Sequence, residues 1–431
     1  MSNNQKSTSK FYDHEKLGCI PVDWDAVRLG KDFDFFPTAT YSRSQLSDSE
    51  SCLYIHYGDI HTRFERFIDI EKDYLPSISF EMAKKYTPIV EGDLIISDAS
   101  EDYEGVGKAV EIVNVSNKKI IAGLHTLHLR VKNDEFIKGF KGYILNQEKV
   151  RNSILRIATG IKVYSISKSQ LKKIFLPKPP KKEQIEITKI LTLVDESITA
   201  TQNSINKAER LKKSLMQNLL TGKLKPDGTW RKEDEFYKDE KFGYVPKGWK
   251  IKKIRELTKN LDSKRKPIKE IDRNAIQGEF PYYGAAGIID YINDYIFDGK
   301  YILFGEDGEN LLSRKLPQAF IVIGKFWVNN HAHILEVFED LIEINFLSLQ
   351  LESKDYRNII YGSAQPKINK SDLSKIKILV PDTLSEQIEI SSQICEIEKV
   401  MNIKQSKNKK LEKLKKALMQ NLLTGKLRIK M

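Results

Sequence analysis

Histidine, cysteine and acidic side chains are the groups in this sequence that could bind a metal or catalyse a reaction. Two close histidine pairs stand out, His125 with His128 and His331 with His333. On a strand, His331 and His333 would share one face, so either could be a metal ligand. No cysteine or third histidine follows at zinc-site spacing. The cysteines are far apart, at Cys19, Cys52 and Cys395. We therefore expect neither a metal site nor a disulfide framework.

Motifs for phosphate, methyl-transfer or nuclease chemistry are also missing from the sequence. The Gly-Lys pairs, such as Gly107-Lys108 and Gly324-Lys325, are not followed by Ser or Thr in a P-loop frame. The KPPK segment at Pro179 lacks the flanking Asn or Asp and the aromatic residue that an amino-methyltransferase places around a flipped base. Pro381-Asp382 followed by Glu396-Ile397-Glu398 misses the Glu-x-Lys of a nuclease by its last residue. The chain is predicted to bind rather than to catalyse.

Length, composition and charge indicate a globular protein with a polyanionic partner. The 431 residues suggest two to three domains at about 150 residues each. With 40% hydrophobic and 10% aromatic residues, the composition excludes a disordered chain. The net charge of +12 suits nucleic acid. No apolar run approaches the ~18 residues of a membrane span, and the first residues are too polar for a signal peptide, so we expect a cytoplasmic protein.

A nearly verbatim internal repeat divides the chain into two halves. LKKSLMQNLLTGKL at 211–224 returns as LKKALMQNLLTGKL at 414–427, with thirteen of fourteen positions identical. EQIEI at 183–187 returns at 386–390. Such a match at a fixed offset is the signature of a duplicated structural unit, so each half is expected to fold in the same frame.

The halves differ inside that common frame. Each opens with Gly-x-x-Pro-x-x-Trp, ending at Trp24 or Trp249, and reaches an extended segment, KSQLKKIFLP or KSDLSKIKILVP, before the repeat. Between them, runs such as CLYIHYGDI, GDLIISDAS, KKIIAGLHTLHLRV, KYILFGEDG and PQAFIVIG are typical of strands. Helices are expected at 143–157 and 344–358. The variable bodies are therefore predicted to be α+β.

A 4–3 spacing of apolar residues predicts a long helix at the end of each half, over 187–219 and 390–422. Thr221-Gly222 and Thr424-Gly425 follow the last apolar turn, where a left-handed glycine ends a helix. A helix over 183–220 would span about 57 Å. The apolar stripes of the two helices could bury each other as an antiparallel coiled coil, or each helix could fold back on its own half. The seam residues expected to contact the other helix or a partner are Leu191, Val194, Ile198, Ile205, Leu215, Leu219, Ile394, Ile397, Met401, Leu411, Leu418 and Leu422.

Most of the excess charge lies in these helical stretches. Residues 181–225 hold nine basic and five acidic side chains, and residues 386–431 hold eleven basic and five acidic ones. Many of these lysines would be ordinary solvated side chains on exposed helix faces. The bodies are close to neutral, so a nucleic-acid surface on either body must be a local patch.

This frame resembles the specificity (S) subunit of type I DNA restriction-modification systems over essentially the full length. The resemblance is carried by the two halves, the shared opening motif and the repeated L-L-T-G-K-L helix ends. In the second body, PYYGAAGIIDYINDYIFDG from Pro281 and GKFWVNNHAHIL from Gly324 are similar to strings of the family's recognition domains. In the first body, YGDI at Tyr57 and EGDLIIS from Glu91 are similar as well.

The resemblance implies an α+β fold with two globular target recognition domains in a pseudo-two-fold repeat, separated by two long antiparallel helices that form a coiled coil. The implied segments are a recognition domain at 1–180, a spacer helix at 181–225, a second recognition domain at 226–381 and a spacer helix at 382–431. Each recognition domain would read one half of a bipartite, asymmetric site in double-stranded DNA. The helices would set the unread spacer.

The resemblance also implies partners that carry the chemistry. Two modification (methyltransferase) subunits would dock on the helices and use S-adenosylmethionine, and restriction (motor-nuclease) subunits would add ATP- and Mg-dependent cleavage. This chain would be non-catalytic, with no cofactor, metal or membrane of its own. Two alternatives stay open: a two-domain scaffold that joins proteins without reading DNA, and a fused restriction enzyme, which the missing motifs disfavour.

Base reading needs bidentate donors such as Arg for guanine and Asn for adenine, whereas Lys, Ser and backbone amides hold phosphates. The candidate DNA contacts in the first body are Arg43, Arg63, Tyr103, Lys108 and His125. Those in the second body are Lys264, Arg265, Lys266, Tyr283, Arg314, Asn329, Asn330 and His331. Any one of them is more often an ordinary surface or core residue, so a fraction of the set is expected to touch DNA.

Overall fold

The computed structural model describes residues 10–362 and 366–429, and its internal contacts form two compact units. Unit 1 consists of Met1–Thr201 and Lys407–Met431, and unit 2 of Gln202–Ser406. The division falls within both repeated helices. Each helix therefore contributes one end to unit 1 and the other end to unit 2.

Unit 1 contains short strands and helices followed by one long helix. Its strands are β1 (Phe11–His14), β2 (Gly18–Pro21), β3 (Asp25–Arg28), β4 (Phe33–Phe36), β5 (Cys52–Ile55), β6 (Phe67–Asp69), β7 (Ser77–Ile78), β8 (Leu94–Ser97), β9 (Ala99–Ser100), β10 (Ala109–Val113), β11 (Ile120–Ala122), β12 (Thr126–Val131), β13 (Tyr164–Ser165) and β14 (Phe175–Lys178). Its helices are α1 (Leu29–Asp32), α2 (Tyr57–Thr62), α3 (Phe80–Ala83), α4 (Phe140–Ile144), α5 (Glu148–Leu155), α6 (Lys168–Leu171) and α7 (Lys181–Leu219), which continues into unit 2.

The centre of unit 1 is a five-stranded sheet in the order β4-β12-β8-β10-β6. Its pairs are antiparallel except for β10 with β6. Leu94 of β8 and Leu129 of β12 are fully buried and share one apolar cluster with Phe140 of α4 and with Ile187 and Leu191 of α7. The first turns of the long helix are therefore part of the core of this unit.

Unit 2 follows the same plan. Its strands are β15 (Phe236–Asp239), β16 (Gly243–Pro246), β17 (Trp249–Lys253), β18 (Thr258–Asn260), β19 (Gln277–Gly284), β20 (Gly287–Ile292), β21 (Phe297–Gly305), β22 (Ala319–Val328), β23 (Ala332–Val337) and β24 (Lys377–Pro381). Its helices are α8 (Ile254–Leu257), α9 (Glu270–Asn274), α10 (Asn310–Ser313), α11 (Ile344–Glu352), α12 (Lys370–Lys375) and α13 (Leu384–Leu422), which continues into unit 1.

A six-stranded sheet in the order β18-β23-β21-β22-β19-β20 forms the centre of unit 2. Only the pair β19 with β22 is parallel among its pairs. Ile302 of β21 and Leu335 of β23 share an apolar cluster with Phe346 of α11 and with Ile390 and Ile394 of α13. Here too the first turns of a long helix complete the core.

The central strands of the two units match in topology and register, although their sequences differ. Strand β12 lies between β4 and β8, and β23 lies between β18 and β21, with every pair antiparallel. Thr126 pairs with Ser97 in unit 1, and Ala332 pairs with Gly305 at the corresponding place in unit 2. Each body is therefore a variation on one antiparallel core, and these three strands are equivalent residue by residue in the two units.

Both long helices are continuous over 39 residues, which confirms the helices predicted from the 4–3 spacing. Every seam position is buried or half-buried. Polar pairs across the helices include Ser204–Lys404 and Lys212–Glu398, each at 2.6 Å in unit 2, and Asp195–Lys415 in unit 1. Residue numbers rise along one helix as they fall along the other. The predicted antiparallel pairing is thus confirmed within each unit.

The repeated motifs of the sequence meet at one corner of unit 1. Gly425, with φ +68°, ends α13, and a Cβ there would lie 2.2 Å from Cγ of Pro21. Trp24 Nε1 donates a hydrogen bond to Glu183 of α7 at 2.9 Å, and Arg428 Nε donates to the other oxygen of Glu183 at 2.8 Å. Only glycine fits where the backbone is left-handed and this close to a proline ring.

The same corner recurs in unit 2 with the equivalent residues. Gly222, with φ +67°, ends α7, and a Cβ there would lie 2.3 Å from Cγ of Pro246. Trp249 Nε1 donates to Glu386 of α13 at 3.2 Å, and Arg231 donates to the same carboxylate. The opening motif, EQIEI and T-G-K-L therefore recur in the sequence because together they join a body to the ends of two helices.

Three local expectations were wrong in their bounds. The helix predicted at 143–157 is interrupted between α4 and α5, because the Gln147 side chain accepts from Val150 N and caps a new helix. The helix predicted at 344–358 ends at Glu352. The run CLYIHYGDI is a strand only as far as Ile55, because His56 caps α2 through Gly58 N.

Candidate nucleic-acid interface

Most of the candidate residues of unit 2 gather at the edge of the sheet where β21 ends and β23 begins. Arg265, in the turn after β18, is one of them. Its Nη1 donates to Ala332 O at 2.9 Å and to Glu306 Oε2 at 2.5 Å. Its side chain is only 16% exposed, so these donors point into the unit rather than outward. Arg265 therefore ties the turn to the ends of two strands.

A buried ionic cluster lies beneath this turn. His333 Nδ1 lies 2.6 Å from Asp262 and its Nε2 lies 2.9 Å from Ile368 O. Glu306 accepts from Arg265, and Lys367 Nζ lies 2.8 Å from its other oxygen. Burial acts to raise the pKa of the Asp262 and Glu306 carboxyl groups, but the hydrogen bonds and ionic contacts of each group, led by His333 for Asp262 and by Arg265 for Glu306, together outweigh it and hold each pKa below its ordinary value.

Asp262, Glu306 and His333 are also the described residues that come close enough together to hold a metal ion. Their charges, however, are already matched within the protein, because Arg265 and Lys367 supply two positive charges for the two carboxylates. A divalent ion would add uncompensated positive charge to a buried site. The donor set therefore fits an internal ion-pair network better than a metal site.

Several candidates at the same edge are available to a ligand. Lys264, Lys266 and Asn330 are exposed. His331 is 44% exposed, and its Nδ1 lies 2.8 Å from Asp307. Cationic and amide donors thus project from the turn and strand ends that the buried cluster holds in place. This group is the strongest candidate contact surface in unit 2.

The remaining candidates of unit 2 serve its interior. Asn329 is buried, and its Oδ1 accepts from His331 N at 2.8 Å. Tyr283 is half-buried against Phe326, and burial raises the pKa of its hydroxyl. Arg314 pairs with Glu352 at 3.1 Å, away from the exposed group. Asn329 supports the contact surface. Within the described residues, no contact links Arg314 to that surface.

In unit 1, Arg43 and Arg63 converge on one carboxylate. Both nitrogens of the Arg43 fork donate to Asp59, at 2.9 and 2.7 Å, and Arg63 Nη1 lies 3.4 Å from the same side chain. Asp59 is 1% exposed, whereas Arg43 is 56% exposed. Tyr74 and both arginines line an open cavity of about 500 Å³. The carboxylate of Asp48 also lines this opening, so the two guanidinium groups face two carboxylates and the opening carries no net positive charge.

The other candidates of unit 1 lie around the equivalent strand ends. His125, just before β12, is half-exposed, with Nδ1 3.4 Å from Asp98 Oδ1. Lys108 is half-buried and donates to His61 O at 3.2 Å, and burial lowers its pKa. The Tyr103 hydroxyl donates to Leu155 O at 3.1 Å. Of these three, His125 has a polar edge that no described residue occupies.

Sequence reasoning missed the acidic partners of the candidate histidines. Asp98 and Asp307 each follow a central strand and contact a histidine that precedes the next strand in the sheet. A carboxylate shortly after an apolar strand is a visible signal. Its pairing with a histidine depends on strand order, which the sequence patterns did not provide.

The model of the type I restriction modification DNA specificity domain matches residues 21–210 and 246–413. The chain belongs to this specificity-domain family. The two matched segments begin at the opening motifs and run into the long helices, so the family's domain is present twice.

Relatives and solved structures agree with this membership. A Methanocaldococcus jannaschii protein named for the specificity subunit of the type I restriction enzyme MjaX is 28% identical, over 98% of this chain and 99% of its own. The MjaVIII specificity subunit of that organism is 26% identical, over 95% and 94%. The crystal structure of the S subunit from M. genitalium matches with a TM-score of 0.60 at 14% identity, over 95% and 96% of the two chains. The expectation of a specificity-subunit fold is confirmed.

Family membership bears on one of the two alternatives left open by the sequence, the scaffold. A two-domain scaffold that never reads DNA has no support, since both halves match a DNA specificity domain. Among the described residues of this specificity-family member, no helix combines the length and the apolar character that a membrane span requires.

Proposed function

We propose that this chain is the non-catalytic DNA specificity subunit of a type I restriction-modification complex. The body of unit 1 reads one half of a bipartite, asymmetric site in double-stranded DNA, and the body of unit 2 reads the other half. The paired helices determine the length of the unread spacer. The chemistry belongs to partner proteins.

The observation that carries this proposal is the combination of a shared core with unlike surfaces. Equivalent strands hold the two bodies in the same register. The groups presented at their edges differ, with Arg43 and Arg63 in unit 1 and Lys264, Lys266 and Asn330 in unit 2. Direct readout depends on which donors and acceptors reach the base edges, so unlike surfaces on one scaffold suit two different half-sites.

We place two modification subunits on the helices, with S-adenosylmethionine as their cofactor, and ATP and Mg²⁺ on restriction subunits where these are present. A solved relative that matches with a TM-score of 0.50 is described in terms of complex assembly and conformational transition of the type I system. The exposed lysines on the helices, for example Lys213, Lys409 and Lys416, leave charged faces for such partners.

An exchange of bodies within this chain tests the proposal. Residues 250–381 are replaced by a second copy of residues 25–178, which keeps both corners at Trp24 and Trp249. The chain is assembled with its modification subunits and S-adenosylmethionine on a random DNA pool, and the methylated bases are mapped by sequencing. The parent should give one asymmetric bipartite motif. The exchange should give an inverted repeat of the first half-site.

The composition of the methylated motif decides the outcome. A motif that is unchanged by the exchange would show that the bodies do not read the half-sites. A parent complex without any sequence-specific methylation would contradict the assignment as a specificity subunit.

A further inference from the structure

The strand register shows that two histidines occupy one equivalent position. Thr126 and Ala332 are equivalent because each begins its central strand opposite the last residue of a neighbouring strand, Ser97 or Gly305. The residue before each is a histidine, His125 in unit 1 and His331 in unit 2. The sequence alone aligned the helices and opening motifs, but not these bodies.

Each histidine lies beside a carboxylate that follows the neighbouring strand in the sheet. His125 Nδ1 lies 3.4 Å from Asp98, the residue after β8. His331 Nδ1 lies 2.8 Å from Asp307, two residues after β21. The two rings are 50% and 44% exposed, and neither Nε2 has a hydrogen-bond partner within the described ranges. Both rings therefore offer one polar edge to solvent at the same edge of each sheet.

The neighbouring residues are not shared between the bodies. Leu124 precedes His125, whereas Asn330 precedes His331, and Gly123 corresponds to Asn329. Contacts that read bases must differ between two readers of different half-sites. A residue that stays the same where its neighbours differ suits the part of DNA common to both half-sites, which is the sugar-phosphate backbone.

We propose that His125 and His331 each bind one DNA phosphate through Nε2, as equivalent anchors that set the position of each body on the duplex. This inference rests on the proposed reading of DNA by both bodies. The Nδ1–H donates to Asp98 or Asp307, and the Nε2–H donates to a phosphate oxygen. Each ring then lies between two anions, the carboxylate and the phosphate, which is the geometry of a charge-assisted hydrogen bond.

Substitution of each histidine by asparagine removes the Nε2–H donor that faces solvent and keeps a donor to the neighbouring carboxylate. The asparagine amide can take the place of Nδ1 and donate to the carboxylate, but nothing replaces Nε2. Asparagine also tolerates the left-handed backbone of His125, whose φ is +54°. The variants His125→Asn and His331→Asn are therefore expected to fold, with unchanged thermal unfolding.

The experiment measures DNA affinity of the complex with its modification subunits across salt concentrations, on the cognate site and on sites with one altered half. Each variant should lower affinity for all these sequences by about tenfold, because one hydrogen bond between charged groups is lost. The slope of log affinity against log salt should fall by about one per histidine. The base preference of both half-sites should stay unchanged.

Asn330→Ala is the matched contrast, since Asn330 is exposed beside His331 but has no polar equivalent in unit 1. Asn330→Ala should change the base preference in the second half-site alone. Unchanged affinity and salt slope in both histidine variants would overturn the phosphate assignment. A shifted base preference in either variant would overturn it as well, by making the contact a base contact. If the parent complex bound no specific site, the proposed function itself would fail.

Discussion

Arg265 illustrates how a charged residue at a contact surface can act through its neighbours. Its guanidinium joins the turn that carries Lys264 and Lys266 to Glu306 and to the start of β23. Removal of one partner from a mostly buried ion pair leaves the other charge uncompensated. Lys367 remains beside Glu306 and limits that cost.

We expect Arg265→Ala to lower the free energy of unfolding of unit 2 by about 2–4 kcal/mol. Lys264→Ala, on the exposed side of the same turn, should change it by less than about 0.5 kcal/mol. Chemical denaturation of the full chain measures both. Equal stability of the two variants would show that the Arg265 contacts contribute little.

Asp93 provides a pH-dependent term in the stability of unit 1. It is buried, and it accepts from Arg130 at 2.8 and 2.7 Å while His128 Nε2 lies 2.7 Å away. Burial acts to raise the pKa of Asp93, but these partners outweigh it and the net pKa lies below the ordinary value. A group with a lowered folded pKa stabilises the protein above its unfolded pKa.

That stability should be lost as the pH falls from the ordinary aspartate range, near 3.9, through the lowered pKa. Asp93→Asn should therefore flatten the acid limb of the stability curve of unit 1. Thermal unfolding from pH 6 to pH 2.5 is the measurement. A variant whose acid limb is as steep as that of the parent would assign the loss to other carboxylates.

The residue types at the contact surface were predictable, but their partners were not. Lys264, Asn330 and His331 were found from donor type and proximity in sequence, and they are exposed or half-exposed. Arg265 had the same signature, yet its partners lie 41 and 67 residues away in the chain. Only the register of β18, β21 and β23 brings these groups together, and a local pattern does not encode that register.

At the scale of elements, the long helices were predictable because a 4–3 spacing repeated over ten positions has few alternative structures. Their seams are buried or half-buried throughout, including the polar positions Lys212 and Lys415. The short helices were harder to predict. A single side chain, Gln147, separates α4 from α5, and apolar periodicity continues across that break.

The antiparallel pairing determines how the helices can be lengthened. An insertion in one helix alone would displace its seam from the partner, whereas seven residues in both preserve the 4–3 spacing. Lys212 in α7 pairs with Glu398 in α13, so the matched sites are after Leu211 and after Glu398, which keep this pair together. Seven helical residues add about 10.5 Å, close to three base pairs at about 3.4 Å each.

We expect this double insertion to lengthen the spacer of the methylated motif by about three base pairs and to leave both half-sites unchanged. Mapping methylated bases in the assembled complex gives the spacer directly. The matched control carries the insertion in α7 alone and should lose stability. A double insertion with the original spacer would exclude the helices as the determinant of spacing.

At the scale of the whole molecule, each unit needs a segment from a distant part of the chain. Residues 407–429 complete unit 1, where Leu422 and Leu423 are buried in the same cluster as Trp24. Arg428 adds ion pairs to Glu183 and Asp23. Unit 2 is closed in the same way by the end of α7, with Arg231 at Glu386.

Removal of residues 423–431 should therefore destabilise unit 1 selectively. The loss of buried Leu423 and of the Arg428 ion pairs is expected to lower the free energy of unfolding of unit 1 by at least about 3 kcal/mol. Amide exchange in unit 1 should then be about a hundredfold faster. Hydrogen exchange should show this acceleration in β8 and β12, with β21 and β23 unchanged. Arg231→Ala removes only the unit 2 equivalent of Arg428 and should accelerate exchange in unit 2 instead, by a smaller factor. Equal acceleration in both units after either change would mean that the two units unfold as one, and that the corners do not stabilise them separately.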